Sequence, residues 1–258
     1  MLQRLIDFFK LTYKYEIAAY TKKSFICSKI LNPFFQVYFF YLVTGMSYGF
    51  DSNSKYVIAN VILLVCSSVF INVGITLVRE RVFGTLQYLE VSRINNMLIL
   101  FGKSLYFLFD GLISFFVGLG IITILFRIEF PFDILLPYFI LVVCVMLSSC
   151  TFGLLLGSFG LVLKDINFLF NSVIYLITLI CGANFSIQSL PMLLRWLAHI
   201  LPITNGIQSS KLLIESDKGW GCYLVVELII MVIYYLLATF LFSKLRKKAV
   251  IEAKLDLY

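Results

Sequence analysis

Six runs of apolar residues, each long enough to cross a lipid bilayer, decide what this sequence can become. They cover about residues 30–49, 57–78, 98–126, 134–162, 166–187 and 222–243. The hydrocarbon layer of a bilayer is roughly 30 Å thick and takes about 20 helical residues to cross. Inside it every backbone N–H and C=O must bond within the chain, which makes such runs α-helical. The spacing therefore predicts an all-α polytopic membrane protein with six transmembrane helices. The third and fourth runs are long enough to tilt or to project beyond the hydrocarbon. Pro33 falls in the opening turn of the first, where its missing donor costs little. Asp51-Ser52-Asn53-Ser54 reads as a tight polar turn, and Arg127 through Pro137 as another short connection.

Ahead of these runs, residues 1–29 carry a different pattern. Leu2, Leu5, Ile6, Phe9 and Tyr13 recur at helical spacing, with Arg4, Asp7, Lys10 and Lys14 between them. That pattern predicts a cytoplasmic amphipathic helix lying in the membrane interface, followed by a six-span domain over 30–258. Lys22, Lys23 and Lys29 would hold the near end of the first span in the cytoplasm. The same orientation follows from the whole charge distribution. It assigns sixteen of the 21 Lys and Arg residues to one side: the N-terminal segment, residues 79–103, Lys164 and the C-terminal tail. The other side keeps Lys55, Arg127, Arg195, Lys211 and Lys218, balanced by Asp51, Glu129, Asp133, Glu215 and Asp217. Cytoplasmic loops carry the excess of basic residues, so both termini are expected in the cytoplasm.

Composition narrows the function further. Charged residues make up 14% of the chain and hydrophobic ones 61%, against about 25% charged in an ordinary soluble domain. The net charge of +7 belongs to membrane-flanking loops, and no basic soluble module is present to bind nucleic acid. Cys27, Cys66, Cys144, Cys150, Cys181 and Cys222 are scattered through apolar surroundings without a C-x-x-C pair, as small hydrophobes would be. With His199 as the single histidine, zinc and haem have no ligand cluster. Gly157-Ser158-Phe159-Gly160 could suggest an intramembrane serine protease with His199 as base. The predicted topology puts a membrane thickness between Ser158 and His199, which forbids proton transfer. Gly153, Gly157 and Gly160 are better suited to close helix packing. The chain contains no G-x-x-x-x-G-K-[ST], so it does not cradle ATP phosphates itself.

Four places remain that bulk lipid packing does not explain. Arg79 through Arg93, between the second and third spans, is a charged, amphipathic elbow. Residues 184–221 are too apolar for a free loop and too short and proline-broken for a span. A helix that dips into the outer leaflet and returns fits them best, with Leu190-Pro191 and Leu201-Pro202 marking its turns and Trp196, Arg195 and His199 upon it. Asp110 and Glu227 place carboxyl groups within spans, where such groups are costly and functional by default. For Asp110, cargo binding, pairing with a base and proton relay stay open, pairing being favoured. Glu227 is placed where its carboxyl can reach the outer interface. The 26 Phe and 15 Tyr residues suit a greasy cargo path and lipid-facing packing equally well.

The elbow resembles a signature of type-2 ABC exporter permeases, E-R/E-x-x-G-T-L-x-x-L-x-V-S/T. It matches at Glu80, Arg81, Gly84, Thr85, Leu86, Leu89, Val91 and Ser92, and departs at Arg93, where many relatives carry proline. The outer segment is similar to the same permeases' G-x-x-[FY]…L-P…L-P-[IL]-T-[YN] pattern, at Gly182, Phe185, Leu190, Pro191, Leu201, Pro202, Ile203, Thr204 and Asn205. The resemblance implies the membrane subunit of an exporter in the cell membrane, paired with a second permease chain, identical or a sister. ATP and Mg²⁺ would be bound by a separate dimer of ABC ATPase subunits. Arg79, Glu80, Arg81, Gly84, Thr85, Leu86 and Leu89 would couple to that ATPase. The outer hairpin, with Leu190, Pro191, Trp196, Leu201, Pro202 and Thr204, would cap the pathway. The E-R-x-x-G-T-L form resembles permeases that export drugs, antibiotics and peptides or confer immunity to them, so an amphipathic cargo is expected. Export of a lipid-linked polysaccharide is the alternative within the family. A channel or a structural membrane subunit without ATP coupling is the alternative outside it, though no charged or carbonyl-rich filter is legible.

Overall fold

A computed structural model describes residues 2–19, 21–50, 54–83, 96–126, 132–163 and 165–251. Among them every regular element is helical: α1 (Leu2–Ala19), α2 (Lys22–Ile26), a π-helical turn (Cys27–Leu31), α3 (Asn32–Tyr48), α4 (Ser54–Val82), α5 (Asn96–Leu125), α6 (Phe132–Phe159), α7 (Ile166–Ile180), a 3-10 turn (Ile187–Ser189), α8 (Met192–Ile200), α9 (Thr204–Ile214) and α10 (Trp220–Ile251).

Five helices are long and apolar enough to cross a membrane: Lys23–Tyr48, Ser54–Val82, Leu98–Leu125, Asp133–Phe159 and Trp220–Lys247. The fifth expected run, 166–187, forms a helix of 15 residues instead. At 1.5 Å per residue that is about 22 Å, short of the hydrocarbon thickness. Its start is set by Asp165, whose side chain accepts from the Phe168 N–H. Beyond its last residue Gly182 takes φ +75, a conformation that glycine adopts without penalty and that ends the helix.

The N-terminal region also divides differently from the sequence expectation. The amphipathic helix stops at Ala19, and Thr21 caps a new helix by accepting from Ser24 N–H. That helix runs into α3 through the π turn, so Lys29 sits inside the first long helix and not ahead of it. Pro33 accounts for the turn: it has no N–H to give the Lys29 carbonyl, and Asn32 N–H bonds five residues back, to Cys27. Pro137 likewise lies inside α6 and not in a connection. It stands in the second turn, with Asp133 favourably placed at the positive end of the helix. The Asp51–Asn53 turn and residues 127–131 lie outside the described residues.

At the centre α6 packs along α4 on one side and α10 on the other, while α5 lies on α4 and α1 on α5. The α4–α6 contact is backbone on backbone. A Cβ on Gly153 would stand 2.6 Å from the Phe70 carbonyl oxygen, and one on Gly157 2.8 Å from that of Gly74. Small residues at such a crossing let dispersion contacts replace a hydrophobic driving force that lipid does not supply. Outward faces of α3, α7 and α10 expose Phe35, Phe39, Phe168, Tyr175, Ile229 and Leu236, as suits helices whose solvent is lipid or another membrane chain.

Candidate functional site

The length of α4 defines two ends of the bundle, roughly 42 Å apart at 1.5 Å per residue. At the Val82 end, three consecutive charged residues each bind a different neighbour. Arg79 pairs with Glu16 of α1, and Glu80 with Lys103 of α5. Arg81 Nη1 donates to the carbonyl oxygens of Gly160 at 2.7 Å and Leu163 at 3.1 Å, in the turn that ends α6. Successive helical residues point about 100° apart, so a single turn reaches three elements. These residues occupy the last turn of α4 and not a separate elbow. Of the expected coupling residues, Gly84, Thr85, Leu86 and Leu89, with Val91, Ser92 and Arg93, lie outside the described residues. A cavity of about 420 Å³ opens beside the cluster, walled by Tyr15, Phe83 and Phe107 and edged by Glu16, Arg79 and Lys103.

Midway along the bundle, Asp110 of α5 pairs with Lys29 of the π turn, both nearly excluded from the surface. Of the roles left open by the sequence, pairing is the one the geometry displays. Lys29 also faces a second cavity of about 430 Å³, bounded by the π turn, α3, α4, α5 and α7. Its walls carry Asn32, Gln36, Ser68, Asn72 and Thr178, a concentration of polar groups inside membrane-length helices. Asn72 donates to the Ser68 hydroxyl at 3.3 Å.

At the Ser54 end the chain between α7 and α10 folds back over the bundle. Leu190-Pro191 and Leu201-Pro202 bracket α8: Pro191 and Leu201 are its flanking residues. Arg195 donates to the carbonyls of Gln188 and Leu190 and so ties α8 to the 3-10 turn. Trp196 is exposed, with Met192 and Leu193. His199 Nδ1 lies 2.9 Å from Asn205 Oδ1, and Asn205 Nδ2 donates to the His199 carbonyl at 3.0 Å, linking α8 to α9. Thr204 opens α9 and is wholly buried. Lys55 pairs with Glu215 beyond the end of α9.

Glu227 departs from the sequence expectation. It does not reach an interface: its exposure is 0%. Its carboxylate accepts from Ile203 N–H at 2.9 Å and Gly206 N–H at 3.2 Å, the otherwise unpaired donors that open α9. A carboxylate is favoured at that end of a helix by the macrodipole. Ile203 itself takes φ +80, a strained conformation for a β-branched residue, held where Glu227 needs its N–H. Lys211 of α9 donates to the carbonyls of Gly182 and Phe185 and lies 4.0 Å from the centre of the Tyr56 ring. Burial pushes its ammonium down from the usual lysine range to about 7.

Ser158 and His199 are not brought together. The Ser158 hydroxyl donates to Leu154 within α6, while His199 serves α8 and α9. Among the described residues there is no group of three or more side chains able to hold a metal ion. The partners Glu16 and Lys103 carry no motif in the sequence, and Glu227 is buried in place of reaching the interface. Glu16 lay one helical turn beyond the last apolar position counted in α1. In the sequence Lys29 and Lys103 read as topology-setting charges.

The sequence model of one protein family, described as ABC-2 type transporter, matches residues 8–212. That range takes in the described charge cluster, the polar cavity and most of the folded-back segment. No curated protein matches the chain.

Proposed function

This chain belongs to the ABC-2 type transporter family, a multi-pass transport permease and not itself a catalyst, and from that premise we propose that it is the membrane subunit of an ATP-driven exporter of amphipathic small molecules, antibiotics or peptides. Two such chains, identical or sister, pair in the cell membrane above a dimer of ABC ATPase subunits, which bind the ATP and Mg²⁺. Both termini face the cytoplasm, with α1 in the inner interface. In this reading α7 is the fifth crossing, and residues 184–221 form a re-entrant hairpin at the outer surface before the last one.

The observation that carries the reading is the three-way tie at the end of α4. The segment that follows Phe83 is the one resembling an ATPase-docking elbow. A push on it enters α4 and passes at once through Arg79 to α1, through Glu80 to α5 and through Arg81 to α6. A lone solvated loop would have no use for three partners. ATP does work only if the contacts differ between the open and closed ATPase. These ties are contacts of the kind that a rigid shift of the last α4 turn would make or break. The polar cavity lined in part by α7 supports the reading, because hydrogen-bonding walls inside an apolar bundle suit an amphipathic cargo.

The test is co-expression with each ABC ATPase of the same genome, purification in lipid, and ATPase assays against a panel of amphipathic compounds. A stable complex whose hydrolysis rises with one class of compound is expected. Failure of every such ATPase to associate, with the chain well folded, would overturn the reading.

A further inference from the structure

The mid-bundle cavity has a charge asymmetry that bears on what it takes. Among the described residues that line it, Lys29 is the one ionised side chain. Its partner Asp110 is not part of the lining. An ammonium group has three N–H donors, and among the described residues Asp110 Oδ2 is the acceptor found for it. Donors are therefore left for an occupant. The rest of the wall mixes neutral polar groups, such as Asn32 and Asn72, with apolar Phe40, Leu64 and Ile174. At about 430 Å³ the space suits a head group or a small amphiphile.

We propose that Lys29 is the specificity-determining residue of this permease and that its cargo carries an anionic group on an apolar body. The inference rests on the permease reading and narrows its substrate class. An anion in the cavity takes the donors of Lys29 that Asp110 leaves free, and forms charge-assisted bonds where little water competes. A cation meets the ammonium at close range and gains nothing from Asp110 without stripping Lys29 of its partner. A neutral amphiphile finds hydrogen bonds but no charge. Asp110 is a positioning residue: it holds the ammonium at the cavity wall while the site is empty. The bend that brings Lys29 there is the π turn imposed by Pro33, and π segments gather where helices serve a ligand.

Binding to the full chain in lipid nanodiscs, with empty nanodiscs as the background, tests this directly. The probes are a dansyl-labelled undecyl sulfonate, the matching alcohol and the matching trimethylammonium. The sulfonate is expected to bind at least about tenfold more tightly than the alcohol, as one charge-assisted bond gives, and the ammonium most weakly. Lys29→Gln abolishes the preference, Lys29→Arg keeps it, and Asp110→Asn retains sulfonate binding. Ser68→Phe, which fills the cavity, removes binding of all three, and decides the location if Lys29→Gln does not insert. Equal affinity for sulfonate and alcohol in the wild type overturns the proposal, as does an undiminished preference in Lys29→Gln or in Ser68→Phe. The assay needs no ATPase. Loss of selectivity here leaves the coupling reading standing, and failure of ATPase association leaves this binding result standing.

Discussion

Arg81 of α4 donates to the carbonyl oxygen of Gly160 at 2.7 Å, fastening the last turn of one membrane-length helix to the turn that closes another. The second bond of the same guanidinium nitrogen, to Leu163 at 3.1 Å, makes the contact a clasp around the end of α6. The approach is close: a Cβ on Gly160 would meet Val78 at 2.6 Å. Motion of either helix end is therefore felt by the other.

Arg81→Lys tests the clasp while keeping the charge. Lysine is a point charge on a flexible stem and does not reproduce the planar fork. The loss is expected to be roughly 1–3 kcal/mol, the cost of a buried group left with poorer partners. Thermal unfolding in detergent should show a lower midpoint for Arg81→Lys and a lower one still for Arg81→Ala. Cargo-stimulated ATPase activity of the complex should fall in the same order. Midpoints and stimulation both equal to wild type in both variants would show that the contact transmits nothing.

The glycine crossing of α4 and α6 gives a sharper contrast. Gly157→Leu forces a side chain against the Gly74 backbone, which has no room to yield, while Gly120 on α5 has nothing within 4 Å of where a Cβ would stand. Overpacking costs about 1–3 kcal/mol even in cores that adjust, and a backbone wall adjusts least. Gly157→Leu should abolish or sharply reduce the folded yield on gel filtration, and Gly120→Leu should leave it unchanged. Equal yields would mean that the two helices do not cross there.

What could be read from the sequence, and what could not, follows from the range of each interaction. Membrane-length runs were legible because burial in lipid demands them locally. The 166–187 run is longer than the helix it forms, because its apolar stretch continues past Cys181, whereas the helix is ended by the conformation of Gly182. The charges of the α4 turn were legible as a motif, but their partners were not. Glu16 lies 63 residues from Arg79, and Lys103 lies 23 from Glu80. Lys29 reads as a flanking charge because the apolar run of the first span begins at about residue 30. Its partner Asp110 is 81 residues away, and only the fold brings them together.

Lys211 makes stability depend on pH in a definite direction. Its folded pKa of about 7 lies below the ordinary lysine value of 10.5, chiefly because burial removes solvation. Between those values the unfolded chain binds the extra proton, so stability rises with pH. The penalty is present in full below about 7 and is relieved as pH climbs toward 10.5. In detergent, the unfolding midpoint of wild type minus that of Lys211→Met should increase across this window. A flat difference would mean that Lys211 is as well solvated folded as unfolded.

Glu227 offers the most exacting test of the folded-back segment. Its two oxygens accept from Ile203 and Gly206, and at 0% exposure bulk water does not reach it. Glu227→Gln keeps the shape and one accepting oxygen, but turns an amide NH₂ toward a backbone N–H and gives up the charge at the start of α9. The expected cost is about 1–2 kcal/mol. Glu227→Ala leaves both donors unpaired and opens a void, at roughly 1–3 kcal/mol for each orphaned group. Glu227→Asp is a methylene shorter and falls between them or matches Ala, because the strained backbone at Ile203 is held where the longer side chain ends. Unfolding midpoints should rank wild type, Gln, Ala. Hydrogen exchange at Ile203 and Gly206 should quicken in the same order, with the amides of α6 unaffected. That local signature separates a cap from a general loss of packing: uniform quickening across α6 and α9 would make Glu227 a core filler. Exchange at those two amides as slow in Ala as in wild type would remove the carboxylate from any part in holding α9.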